Sequence, residues 1–241
     1  MVIEIGPEHI VHVVTDNGSN YKKACRMLTQ EYKHIAWQSC LAHTINLMLK
    51  DIGDRPEHTG MIAQCKRISS WLHNYNTLHT MMTKAIGGEL VKWNATWFGT
   101  NYMFLDSFYR RKGGFMQWMG SEEFLSSKFA STPDGRFAHS RLSSMDWWDN
   151  LNYVIKCVEP LYKFLRFADE DKRPNFSQVM ITYQSMKNEY ESFFGENVST
   201  CNEYFEVIDA RIRDVQDETY VSAGKSNGIL IPYEVPLFMF A

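Results

Sequence analysis

The spacing of apolar residues changes character near residue 53. Before that point short apolar runs alternate with helical stripes. Ile10-Val11-His12-Val13-Val14 closes at Thr15-Asp16-Asn17-Gly18, and a short β-branched run ended by a glycine turn predicts a buried strand. Ser19 or Asn20 can cap the following helix, whose Ala24, Met27, Leu28 and Tyr32 fall at helical spacing. His34 to Gln38 reads as a second strand. Cys40-Leu41-Ala42-His43 then opens a helix with Leu41, Ile45, Met48, Leu49 and Ile52 on one face. A strand-helix-strand-helix order predicts parallel strands. It puts Asp16 and the Cys40/His43 pair at the carboxyl edge of the sheet, where open α/β sheets take their ligands.

Past Gly53-Asp54-Arg55-Pro56, which breaks the helix, every apolar stripe has helical period. Ile62, Cys65, Ile68, Leu72, Tyr75, Leu78 and Met82 suggest one long helix from Thr59 to Ile86, ended by Gly87-Gly88. Further helices are expected over Thr96–Arg111 and, after Lys112-Gly113-Gly114, over Phe115–Phe124. Thr132-Pro133-Asp134-Gly135 reads as a turn. Ser144 or Asp146 caps a helix burying Leu151, Val154, Ile155, Val158, Leu161, Phe164 and Leu165, with a kink at Pro160. Asp169 to Pro174 is a polar loop, and helices follow at Phe176–Phe193 and Thr200–Val215. Two strands are too few for an independent sheet. The fold class is therefore a fragment of an α/β core, a parallel strand pair, with a large helical insertion: mostly α overall.

Composition narrows the function classes. In 241 residues, 44% hydrophobic and 14% aromatic content mean a packed core rather than a disordered chain. A net charge of −3 argues against a strongly electrostatic nucleic-acid binder. Five cysteines without framework spacing fit reduced thiols in the nucleus or cytosol. No apolar run reaches membrane-spanning length, and Met1 to Pro7 is too short and acidic for a signal peptide. An α/β hydrolase acting on a small-molecule substrate would need a nucleophile elbow or paired carboxylates, and neither is legible.

The combination of Val14-Thr15-Asp16-Asn17-Gly18-Ser19-Asn20 with Cys40-Leu41-Ala42-His43-Thr44-Ile45-Asn46-Leu47 resembles the ribonuclease H-like core of hAT-family transposases. The closest likeness is to plant versions that often carry a BED zinc finger upstream. The similarity continues through Glu89–Leu105 to about Arg211. It implies a partial core over 1–55, an all-helical insertion over 56–216 and a divergent tail over 217–241. It further implies that Asp16 stands at the second of three carboxylates that hold magnesium for strand cleavage. The first carboxylate would precede Met1 and the third would belong to a C-terminal dimerisation block, so the chain is expected to be truncated at both ends. One aspartate cannot clamp a magnesium pair, and the expectation is an ancestral catalytic position that does not cleave DNA, with no cofactor bound.

Cys40 and His43 lie beside the active site on this resemblance. Read from residues alone, they are half of a zinc site with only Cys65 and His73 as free-standing partners, or a small buried thiol and a helix-start imidazole. No stoichiometric zinc is expected of that pair. For DNA contact, the candidates are Trp93, Trp97, Arg110, Arg111 and Lys112. The family's Thr-Arg-Trp or Thr-Arg-Phe is here Thr96-Trp97-Phe98, which removes a bidentate phosphate donor. Trp118, Trp147 and Trp148 read as core. Two functions follow. One is a cleavage-incompetent hAT transposase-like protein, nuclear, with residual DNA association. The other is a module whose helical part binds related transposase-like or regulatory proteins, or a second copy of itself. The strands are expected to leave an uncovered edge that the apolar tail Ile229–Phe240 can patch in part.

Overall fold

The computed structural model describes residues 2–93, 98–170 and 176–225, with backbone only at 98, 176 and 214–225. Two strands and twelve α-helices are present among these residues: α1 Val2–Ile5, β1 His12–Thr15, α2 Ser19–Glu31, β2 Ala36–Ser39, α3 Leu41–Gly53, α4 Pro56–His73, α5 Asn76–Ile86, α6 Phe98–Tyr109, α7 Lys112–Met119, α8 Glu122–Leu125, α9 Pro133–Leu142, α10 Met145–Ala168, α11 Phe176–Phe194 and α12 Val198–Lys225. A 3-10 turn, Pro7–His9, feeds β1. The chain divides into two compact units, residues 1–51 with 160–241, and residues 52–159.

In the first unit β1 and β2 pair in parallel, with His12, Val13, Val14 and Thr15 opposite Ala36, Trp37, Gln38 and Ser39. β1 begins two residues later than the apolar run. Ile10 N–H is spent on Pro7 O, which closes the 3-10 turn, and Val11 O is the first to accept from the neighbouring strand, at Ala36 N. The helix before β2 has Gly18 at its N-cap, and neither Ser19 nor Asn20 caps it. Its stripe is also not the expected one: Cys25 is buried, whereas Ala24 and Met27 are exposed.

α3 forms as its stripe requires, with Ile45, Met48, Leu49 and Ile52 all but fully buried. A two-stranded ladder is marginal by itself, and here α2 and α12 pack against β2. α12 is fastened further by Arg211, whose Nε and Nη2 donate to Asp51 Oδ2 at 2.9 and 2.7 Å. It pairs with α11 through stacked and tilted rings of Tyr190, Phe194 and Tyr204, centroids 5.0 to 6.0 Å apart. Asp209 on α12 also accepts hydrogen bonds from Tyr183 and Lys187 of α11.

In the second unit a continuous core runs from Met61 to Ile155 and is rich in aromatics. Several expected boundaries move here. The long helix over 59–86 is two, because Asn74 and Tyr75 break it and Tyr75 takes an extended backbone (φ −131°, ψ 120°) as the cap of α5. Leu72, Tyr75 and Leu78 keep helical spacing across that break, so periodicity alone does not see it. Gly87 ends α5 in the left-handed region as expected. Gly113-Gly114 does not break a helix but sits inside α7. A Cβ at Gly114 would meet Ala85 O at 2.8 Å and Ile86 Cα at 3.0 Å, so glycine there permits the close approach of α7 to α5.

Beyond Gly114 the expected Phe115–Phe124 helix is two, α7 and α8, with Ser121 Oγ accepting from Phe124 N as the cap of α8. Thr132-Pro133-Asp134-Gly135 is a helix start rather than a turn. Thr132 caps α9, accepting from Gly135 N at 2.9 Å, with Pro133 in its first turn. Ser144 Oγ accepts from Trp147 N and so caps α10. Every residue expected on the buried face of α10 is buried, from Leu151 to Leu165, and the helix runs through Pro160.

α12 extends to Lys225, ten residues beyond the expected Val215. The tail from Ile229, and residues 171–174 of the expected polar loop, lie outside the described residues. Among the described residues the chain is mostly α with one parallel strand pair, as expected.

Candidate functional site at the strand ends

The site begins where both strands stop. Thr15 is the last residue of β1 and pairs with Ser39, the last of β2. Thr15 O then accepts from Cys40 N at 2.7 Å, so the chain leaves both strands from one point. Asp16 follows Thr15, and α3 begins at Leu41, directly after Cys40. The expected site residues Asp16, Cys40 and His43 therefore stand at the same carboxyl edge, a consequence of parallel pairing.

Asp16 is exposed. Its Oδ1 accepts from Gly18 N at 2.9 Å, an Asx turn of the kind that aspartate forms ahead of a glycine. Thr15 Oγ1 donates to Asp16 O at 3.0 Å and accepts from Trp37 Nε1 at 2.9 Å, which ties the end of β1 to β2 by side chains as well as backbone.

A short relay fastens the loop after β1 to the first turn of α3. Asn17 Nδ2 donates to Thr44 Oγ1 at 3.0 Å, and Thr44 Oγ1 donates to Cys40 O at 3.0 Å. Thr44 is fully buried, where a hydroxyl needs its partners. Sequence reading had no signal for this pair, since Asn17 and Thr44 are 27 residues apart. Cys40 and His43 are half-buried.

A magnesium pair needs several bridging carboxylates, and Asp16, with one oxygen engaged by Gly18, does not fit that requirement by itself. Among the described residues, one set of three His, Cys, Asp or Glu side chains brings its ligand atoms within 4.8 Å of one another, and it lies elsewhere in the chain. Asp16, Cys40 and His43 are not a closed ligand set.

The residues expected to touch DNA belong to the helical unit. Lys66 Nζ lies 3.4 Å from the centroid of the Trp93 ring, and Trp93 Nε1 donates to Asn101 Oδ1 at 2.9 Å. Trp97 lies outside the described residues. Arg110 pairs with Asp106 at 2.6 Å, Arg111 donates to Ser107 O at 3.2 Å, and Lys112 Nζ is 3.8 Å from Asp149. Arg110 and Lys112 thus each face a carboxylate within the unit, which lowers the charge they offer to a phosphate, while Arg111 gives one donor to a backbone carbonyl. Trp118, Trp147 and Trp148 are buried core.

Residues 1–73, which contain the whole strand-end site, match the family described as a domain of unknown function, DUF659, a domain family found in hAT-like transposase-related proteins. No curated protein and no solved structure matches the chain.

Proposed function

We propose that this chain is a hAT transposase-like protein with a ribonuclease H-like strand pair, whose carboxyl edge lies against nucleic acid without cleaving it. The observation that carries the reading is the placement of an exposed, turn-held Asp16 beside the start of α3, at the end of two parallel strands. Open α/β sheets bind ligands at that end, and the match of residues 1–73 to a domain family of transposase-related proteins agrees with it. A single carboxylate supports association without two-metal strand cleavage.

The chain's net charge of −3 makes the association weak, and the part that Lys and Arg side chains supply is salt-sensitive. The expected result is binding of a labelled duplex at about 10–100 µM in low salt, lost as salt rises. Anisotropy measures it. Asp16→Asn removes a negative charge and should leave binding equal or tighter, and supercoiled plasmid should stay intact with magnesium in both proteins. Magnesium-dependent nicking that disappears in Asp16→Asn would overturn the non-cleaving part. Absence of binding in low salt would overturn the DNA part.

One observation favours the second reading, a protein-interaction module. Along α2, Tyr21 is 54% and Met27 61% exposed, and Val11 ahead of β1 is 65% exposed. Three large apolar side chains exposed between residues 11 and 27 would give a protein partner or a second copy apolar area to cover. Sedimentation velocity at micromolar concentration is expected to show association that Met27→Glu weakens. A monomer at every concentration would count against this reading and leave the first untouched.

A further inference from the structure

We propose that His73, His79 and Glu89 form a zinc site in the helical unit, separate from the strand-end site and independent of the function proposed above. A ring nitrogen from each histidine and a carboxylate oxygen of Glu89 lie within 4.8 Å of one another. Three elements bring them together. His73 is the last residue of α4, His79 sits in the first turns of α5, and Glu89 follows the left-handed Gly87 that turns the chain back at the end of α5. The two imidazole rings have centroids 4.9 Å apart at 39°.

The hydrogen bonding of His73 decides between a ligand and an ordinary ion pair. Its Nδ1 donates to Ser69 O at 2.7 Å. This fixes the tautomer and leaves the lone pair on Nε2. A backbone carbonyl holding the far nitrogen is the arrangement that orients metal-binding histidines. Nε2 itself is shut off from solvent and has no hydrogen-bond partner, a state that buried polar atoms rarely keep.

His79 Nε2 and Glu89 Oε2 are 2.8 Å apart, with the two side chains 32% and 62% exposed. A half-exposed His79–Glu89 pair accounts for those two residues and does nothing for His73. A cation between the three satisfies all of them.

The donor set selects the metal. Two neutral imidazoles and one carboxylate suit a borderline divalent ion such as zinc rather than magnesium or calcium, which take oxygen ligands. Around tetrahedral zinc, ligand atoms sit about 3.3 Å apart. The His79–Glu89 contact must therefore open slightly, and both side chains must close on His73, which Ser69 O holds in place. Both moving side chains, His79 and Glu89, are free enough at the surface to do so. Binding takes the neutral His79 tautomer with its hydrogen on Nδ1, so that Nε2 gives its lone pair to the ion in place of its contact with Glu89, and a water completes the fourth position. The ion then clamps α4, the start of α5 and the segment after α5. It is a different site from the Cys40/His43 pair, for which no stoichiometric zinc was expected.

The test uses the full, tag-free chain after dialysis against chelator, titrated with zinc chloride by calorimetry and with cobalt(II) by absorption spectroscopy. One ion per chain is expected. The cobalt form should show the visible bands of a tetrahedral site and no strong thiolate charge-transfer band. Zinc should raise the melting temperature of the wild type. Glu89→Gln and His79→Ala, which change an exposed and a half-buried side chain and leave the fold intact by circular dichroism, should lose both the stoichiometric binding and the thermal shift. Cys40→Ser with His43→Ala should lose neither. Absence of binding overturns the proposal. So does binding that survives Glu89→Gln and His79→Ala, and so does a thiolate signature that vanishes with Cys40→Ser.

Discussion

Replacing Trp148 with alanine is expected to destabilise the helical unit by about 4 kcal/mol, the usual size for truncating a buried aromatic. Trp148 is fully buried on α10, edge-on to Trp147 at 4.8 Å and tilted over Phe115 at 6.2 Å. Phe115 stacks in turn on Phe108 at 5.7 Å. Removing the indole would open a cavity between α6, α7 and α10 that these rings cannot close without leaving their own contacts. It would also strip Leu142 O of the 2.9 Å hydrogen bond from Trp148 Nε1, a loss of about 1 kcal/mol contained in that total.

Trp148→Phe keeps most of the ring volume and loses the N–H, so it should fall well short of the alanine cost. Denaturant unfolding followed by circular dichroism measures both. An alanine variant within 1 kcal/mol of wild type would mean that Trp148 is not at the centre of this core. Native domains have about 5–15 kcal/mol to lose, so the alanine variant gives up a large part of that margin.

How far the sequence could be read depends on the range of the interactions involved. α3 was legible because its apolar residues report on a face buried by near neighbours, and β1 and β2 from their short runs and turn residues, although the expected burial of β1 is only partial, His12 to Thr15 all being half-buried. Once two strands are joined by a helix, handedness and parallel pairing place Asp16 and Cys40 at one edge. The return of α12 to β2 was not legible, since nothing in its helical period says which of several apolar surfaces it covers. The same return brings Arg211 of α12 to Asp51 of α3, 160 residues apart.

α2 shows the reverse failure. Met27 has the right spacing for a buried stripe and is exposed, because spacing identifies a face and does not supply the layer that covers it. At the strand ends, residue types with an intrinsic turn preference, Asp16 and Gly18, were readable, while the Asn17–Thr44 link was not. His73, His79 and Glu89 match no metal-ligand spacing. Their meeting depends on the break at Tyr75 and the reversal at Gly87, the first of which the unbroken periodicity hides.

The same local ambiguity surrounds Gly135, where substitution by alanine is expected to cost about 2 kcal/mol in spite of every intrinsic preference favouring it. Gly135 lies in the first turn of α9. Alanine there should gain about 1 kcal/mol from helix propensity and from a less flexible unfolded chain. An added Cβ, however, would meet Phe129 O at 1.9 Å and Thr132 Oγ1 at 2.9 Å. Neither can step aside freely. Phe129 O accepts from Thr132 Oγ1 at 2.7 Å, and Thr132 Oγ1 accepts the Gly135 N–H that caps the helix. Relieving the clash means moving backbone and giving up the cap, and overpacking of this kind costs about 3 kcal/mol. The steric term wins. Gly113 is the matched control, since a Cβ there meets nothing within 4 Å and the residue sits inside α7. Gly113→Ala should therefore stabilise by about 0.5 kcal/mol. Denaturant midpoints of the two variants should move in opposite directions from wild type, and a shift of both in the same direction would show that Phe129 O does not press on α9.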